Sequence, residues 1–216
     1  MVLLQVALDT LDLEYAVRVA RACVDEGFDI VEAGTPLIKR FGVEALRVLR
    51  KKALPPKLLA DMKTVDAAEV EVRLVKEFGG DAITVMGLAP VETIEACIAA
   101  ARELGVEVVV DLMGVSNPLG LLYSLSQLPD AVCLHVGLDV QRRRGISAEA
   151  LVEEVREIRR RLPKEVLVAV AGGLTPEKAL PLIEAGADVL IAGGAILRTT
   201  SPRAAARRFV EVCKLV

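Results

Sequence analysis

Two acids and a lysine crowd together in "DMKTVD", where Asp61, Lys63 and Asp66 follow an apolar run. A lysine among carboxylates stays protonated and can be aimed at negative charge developing on a reacting oxygen. Elsewhere, Asp9, Glu32, Asp111, His135 and Asp139 also stand at or just past the ends of apolar runs. Glu32 and Asp61 offer hard oxygen ligands. A few such ligands, with room left for water and substrate, suit Mg2+. His135 is the only histidine, and its neutral imidazole is a competent base near physiological pH. Asp9, Lys63, Asp66 and His135 are therefore the candidate catalytic residues, with Glu32 and Asp61 the candidate metal ligands.

A repeating pattern must position these side chains. Short β-branched runs alternate with segments of helical period at 3–8, 29–33, 57–62, 81–86, 107–112, 131–136, 166–171 and 188–193. Such alternation predicts parallel strands joined by crossover helices, and uniformly apolar strands predict burial on both faces. The segments "DEGFD", "EFGGD", "ELGVE" and "EAGAD" each place a glycine where a helix closes and an acid where the next strand begins. A further helix is expected to open at Pro176, with Thr175 as its N-cap, and to stop at Gly186. At 216 residues, with no linker of low complexity, the chain reads as one domain over 1–216. The expected fold is α/β, a single (β/α)8 barrel; an open doubly wound sheet is the competitor, but no G-x-G-x-x-G follows the first strand. Barrel active sites lie at the C-terminal ends of the strands, where these polar residues fall.

The seventh and eighth strands run into glycine pairs, Gly172–Gly173 and Gly193–Gly194. Glycines let backbone amides approach an anion closely, and barrels commonly bind phosphate after these two strands. Arg198 could add a charged contact. A phosphorylated substrate is expected here.

Composition removes other classes. The formal net charge of −3 provides no basic excess for nucleic acid. Apolar runs stay well below the ~18 residues that suggest a membrane span. The start "MVLLQVALDT" reads as a strand and not as a signal peptide, so a cytoplasmic protein is expected. Cys23, Cys97, Cys133 and Cys213 lack metal-binding spacing and are expected to be buried, reduced thiols.

Taken together, these stretches resemble the orotidine 5′-monophosphate decarboxylase superfamily, which shares an Asp-x-Lys-x-x-Asp motif after the third strand. Within it, "DIVEAGTPLIKRFG" and "HVGLDVQ" are most similar to the 3-hexulose-6-phosphate synthases, and the likeness covers essentially the whole chain. The resemblance implies a metal-dependent aldolase that joins D-ribulose 5-phosphate and formaldehyde through a 1,2-enediolate. Mg2+ would sit on Glu32 and Asp61, with His135 as the base and Lys63 as an electrostatic partner. It also implies a homodimer in which Asp66 reaches the neighbouring subunit's site. The alternative is 3-keto-L-gulonate-6-phosphate decarboxylase or a related decarboxylase. That branch carries an Arg-Asp type arrangement after the histidine, which "HVGLD" lacks.

Overall fold

The computed structural model describes residues 2–213. Eight parallel strands close into a barrel in sequence order: β1 (Leu3–Leu8), β2 (Ile30–Ala33), β3 (Lys57–Thr64), β4 (Ala82–Met86), β5 (Glu107–Asp111), β6 (Ala131–His135), β7 (Leu167–Ala171) and β8 (Val189–Ala192). β1 pairs with both β2 and β8, so the sheet has no free edge. The (β/α)8 barrel expected from the alternation is present.

Strand side chains alternate between two cores. Val6, Leu58, Val110 and Val168 point outward and are fully buried beneath the helices. Inward residues pair with inward residues around the ring: Ala7 with Glu32, Thr84 with Val109, Asp111 with Cys133, and His135 with Ala171. This parity aims the acids, the lysine and the histidine at one axis. The last helix, Pro202–Cys213, completes the outer layer, where Phe209 meets Phe28 edge-on with ring centroids 6.4 Å apart. Arg203 and Arg207 of that helix both bond Glu26 at the end of the first one. Those two hydrogen bonds hold the Glu26 carboxyl at about 2.

The acids that open strands have a structural task. Carboxylate Oδ2 atoms of Asp29, Asp81, Asp130 and Asp188 accept from the backbone N–H groups of Leu4, Leu58, Val108 and Val168. Each acid just before an even strand thus ties down the odd strand that precedes it. Glu107 departs from the pattern and pairs with Lys57 instead. The glycines closing the preceding helices, Gly27, Gly79, Gly105 and Gly186, all have positive φ, as the sequence predicts.

Two boundaries differ from the sequence reading. β3 extends to Thr64 because Thr64 pairs again with Val85 after a register shift, so Lys63 lies within the strand. The segment from Pro176 begins as a 3-10 turn, Pro176–Lys178, and becomes α-helical only over Ala179–Glu184. All four cysteines are free and buried, as expected.

Candidate active site

The register shift in β3 is the local device that builds the site. Ala60 pairs with Ile83 and Thr64 with Val85, so the segment carrying Asp61 and Lys63 bulges from the ladder. Bulges re-aim side chains at barrel rims. Lys63 adopts a left-handed conformation with φ 49°, costly for a residue with a side chain. Thr84 fills the gap: its hydroxyl accepts from Lys63 N at 2.9 Å and donates to Asp61 Oδ1 at 2.8 Å.

Around this bulge, Lys63 Nζ lies 3.1 Å from Asp61 Oδ1 and 2.9 Å from Asp111 Oδ2. Asp111 Oδ2 is also 3.0 Å from His135 Nδ1. The Asp111 side chain is almost fully buried, while His135 keeps part of its ring exposed to the central cavity. Burial alone would raise the Asp111 carboxyl, but hydrogen bonds and charge from His135 and Lys63 outweigh it and hold the group well below the usual range. Burial likewise opposes charge on Lys63, yet Asp61 and Asp111 outweigh it, and the ammonium is held above its ordinary value.

A second group of carboxylates faces the first. Glu32 is buried on β2, and Gln5 Nε2 donates to its Oε2 at 2.5 Å. Burial, and then the charges of Asp61 and Asp9, push Glu32 well upward. Burial followed by Asp61 raises Asp9 in the same direction. Asp61 is steadied by Thr35, whose hydroxyl lies 2.7 Å from both its carbonyl oxygen and its Oδ2. Gly34 allows Asp9 its place, because a Cβ there would collide with Asp9 Oδ1.

Mutually repelling carboxylates in a cavity are what a hard divalent cation relieves, so Glu32 and Asp61 fit such an ion. Asp111, Cys133 and His135 also bring potential ligand atoms within 4.8 Å of one another. That trio is the poorer cation site, because the Lys63 ammonium already occupies the shared Asp111 oxygen. The Cys133 thiol is also pushed well above its usual value, by burial first and then by Asp111.

Gly172, Gly173, Gly193, Gly194 and Arg198 line the same cavity, on the β7 and β8 side. Gly172 and Gly173 have φ of 114° and 65°, and a Cβ on Gly172 would strike the Val136 carbonyl oxygen. The Arg198 guanidinium folds back over Gly194, where a Cβ would meet it. Tyr15 donates from its hydroxyl to Leu197 O at 2.7 Å and steadies this turn.

The structure thus gathers every candidate residue except Asp66. Asp66 is exposed and lies outside the cavity of its own chain, while Asp111 stands beside Lys63. The bulge explains this, since the strand ends at Thr64 and Asp66 follows outside it. Three supporting residues, Gln5, Thr35 and Thr84, escaped the sequence reading. A polar side chain at an inward position of an apolar strand was the available signal for Gln5 and Thr84.

Fold and site together define a (β/α)8-barrel enzyme with a carboxylate, lysine and histidine centre at its C-terminal rim. The chain belongs to the Orotidine 5'-phosphate decarboxylase / HUMPS family, whose profile matches residues 3–209. It is 36% identical over 208 residues to a bifunctional enzyme Fae/Hps of Methanosarcina barkeri, covering 96% of this chain and 52% of that protein. The chain spans about half the length of the curated relatives it matches. Among solved structures it resembles 3-hexulose-6-phosphate synthase from Salmonella typhimurium at 33% identity and TM-score 0.89, covering 98% of each chain. It also resembles 3-keto-L-gulonate-6-phosphate decarboxylase from Vibrio cholerae at 26% identity and TM-score 0.84, covering 99% of this chain and 98% of that one.

Proposed function

We propose that this barrel is a 3-hexulose-6-phosphate synthase, an aldolase that interconverts D-ribulose 5-phosphate plus formaldehyde with D-arabino-hex-3-ulose 6-phosphate. The observation that carries this reading is the shared oxygen of Asp111. With Nδ1–H of His135 donating to it, the other ring nitrogen keeps its lone pair and serves as the base. His135 then removes a proton from carbon 1 of the ketose. Lys63, held protonated by Asp61 and Asp111, faces the negative charge that builds on the enediolate oxygens. Carbon 1 attacks the formaldehyde carbon, its carbonyl becomes an alkoxide, and a proton returned by His135 or Lys63 completes the product. Asp9, beside Glu32 and Asp61, orders the polar end of the sugar.

Glu32 and Asp61 would hold a divalent ion, read here as Mg2+, which supplies Lewis-acid stabilisation to the sugar oxygens. Gly172, Gly173, Gly193, Gly194 and Arg198 would bind the phosphate, through backbone amides and one guanidinium. The greater identity to the synthase than to the keto-gulonate decarboxylase supports an aldol reaction over decarboxylation. Asp66, exposed on its own chain, is free to complete the site of a second copy, and a homodimer is part of this reading. No described helix is long and apolar enough to cross a membrane, consistent with a cytoplasmic location.

Formaldehyde consumption with D-ribulose 5-phosphate, with and without Mg2+, tests the proposal. Turnover lost on chelation and in Asp61→Ala is the expected result. A folded protein that releases carbon dioxide from 3-keto-L-gulonate 6-phosphate and ignores formaldehyde would overturn it.

A further inference from the structure

The cavity does not stop at the catalytic side chains. Its volume is about 790 Å3, and its lining runs from Arg198 at the upper rim to Lys57 and Glu107 at the lower end of the barrel. Barrel interiors are ordinarily filled by layers of bulky branched side chains. Here Ala7, Ala82, Ala131, Ala169 and Ala171 occupy inward positions, and all line the cavity. The inner residues also differ from the outer core. Leu59, Ala131 and Val109 keep 3%, 7% and 9% of their surface accessible although strands surround them, whereas outward residues such as Val6 and Leu58 keep none. The barrel axis is under-filled.

We infer that this axial space is a passage and holding site for the one-carbon reactant, separate from the upper mouth through which the sugar phosphate enters. The inference rests on the reading of the site as a sugar-phosphate aldolase. A sugar phosphate stretched from Gly194 to His135 lies across the upper mouth, which the helix Leu138–Arg144 also borders. Formaldehyde arriving second then needs another way to the buried side of carbon 1. Below the hydrogen-bonded Gln5 and Glu32 side chains, the lower cavity is lined by Ile30, Leu59, Val109 and Leu167, which offer no hydrogen-bond partners on their side chains. Such walls penalise the two hydroxyls of hydrated formaldehyde more than the single carbonyl oxygen, so they favour the reactive form. At the bottom, Lys57 and Glu107 close the axis with an ion pair at 2.6 Å, both side chains partly exposed. Pairs of that exposure are worth little, so this one can part at small cost.

Two measurements test the passage. Crystals pressurised with xenon should show density on the axis between the Gln5–Glu32 layer and the Lys57–Glu107 pair; an empty axis would overturn the inference. Narrowing the passage with Ala131→Val, and independently with Ala82→Val, each adding two carbons, should lower kcat/KM for formaldehyde about tenfold or more, since a single methylene in a tight apolar space already counts for about that much. Solvent exchange of the carbon 1 proton of D-ribulose 5-phosphate should stay unchanged, which also shows that the variants fold. Equal losses in both assays, or no loss in either, would refute the passage. Absence of any formaldehyde turnover in the wild type would instead refute the synthase reading, whatever the xenon shows.

Discussion

Lys63 Nζ and His135 Nδ1 converge on a single atom, Asp111 Oδ2, at 2.9 and 3.0 Å. One buried carboxylate therefore sets both the charge of the lysine and the orientation of the imidazole. Neither partner is adjacent to Asp111 in sequence; β3, β5 and β6 bring them together. This coupling makes Asp111 a positioning residue whose loss disturbs two functions at once.

Replacing Asp111 with Asn keeps the shape and removes the charge. The amide can present its N–H2 to the imidazole and favour the wrong tautomer. Exchange of the carbon 1 proton should fall by about 10²- to 10⁴-fold, the scale of general acid–base catalysis. A loss below about threefold, with the melting temperature preserved, would remove Asp111 from the mechanism.

Glu32 makes the fold sensitive to pH. Its carboxyl is raised well above the ordinary value by burial, then by Asp61 and Asp9. Between the unfolded and folded values the unfolded chain binds fewer protons, so stability falls as pH rises through that window, and the destabilisation from this one group is complete above the folded value. Glu32→Gln removes the penalty while keeping the hydrogen-bonding shape beside Gln5. In chelator at pH 8 this variant should melt several degrees above wild type, on the scale of about 4 °C per kcal/mol or less for a domain of this size. Wild type is expected to melt higher with Mg2+, and this variant should lack that rise. A variant no more stable than wild type, or one still stabilised by Mg2+, would contradict the assignment of Glu32 to the ion.

Much of this arrangement was legible in the sequence because its physical cause is local. Apolar runs bounded by Gly and Asp at regular intervals set the eight strands, and strand ends set the rim where Asp9, Glu32, Asp61 and His135 stand. The bulge was not legible. It depends on Thr84, one strand away, replacing a ladder bond to Lys63, and no pattern within "DMKTVD" announces that exchange. For the same reason the motif does not show that Asp66 lies outside the cavity of its own chain, while Asp111, distant in sequence, stands beside Lys63. The acids opening strands read in the sequence only as punctuation between a helix and the next strand. Only the fold reveals that Asp29, Asp81, Asp130 and Asp188 each tie down a backbone N–H of the neighbouring strand.

The two glycine pairs should respond differently to the same added methyl group. At Gly172 a Cβ would meet the Val136 carbonyl oxygen, part of the rigid backbone after β6, and φ is 114°. Nothing there can yield cheaply, so Gly172→Ala should lower stability by about 1–3 kcal/mol, visible as a lower denaturation midpoint. At Gly194 the obstacle is the Arg198 guanidinium, the free end of a flexible side chain, and φ is not positive. Gly194→Ala should therefore keep the wild-type midpoint while displacing the cation from the proposed phosphate site. Losing one charge-assisted contact of about 1.5–3 kcal/mol corresponds to a rise in KM for D-ribulose 5-phosphate of about tenfold or more, with kcat less affected. Arg198→Ala should match that rise, and combining it with Gly194→Ala should add little, because both remove the same contact. Additive losses would mean that the Gly194 backbone and Arg198 act on the substrate separately.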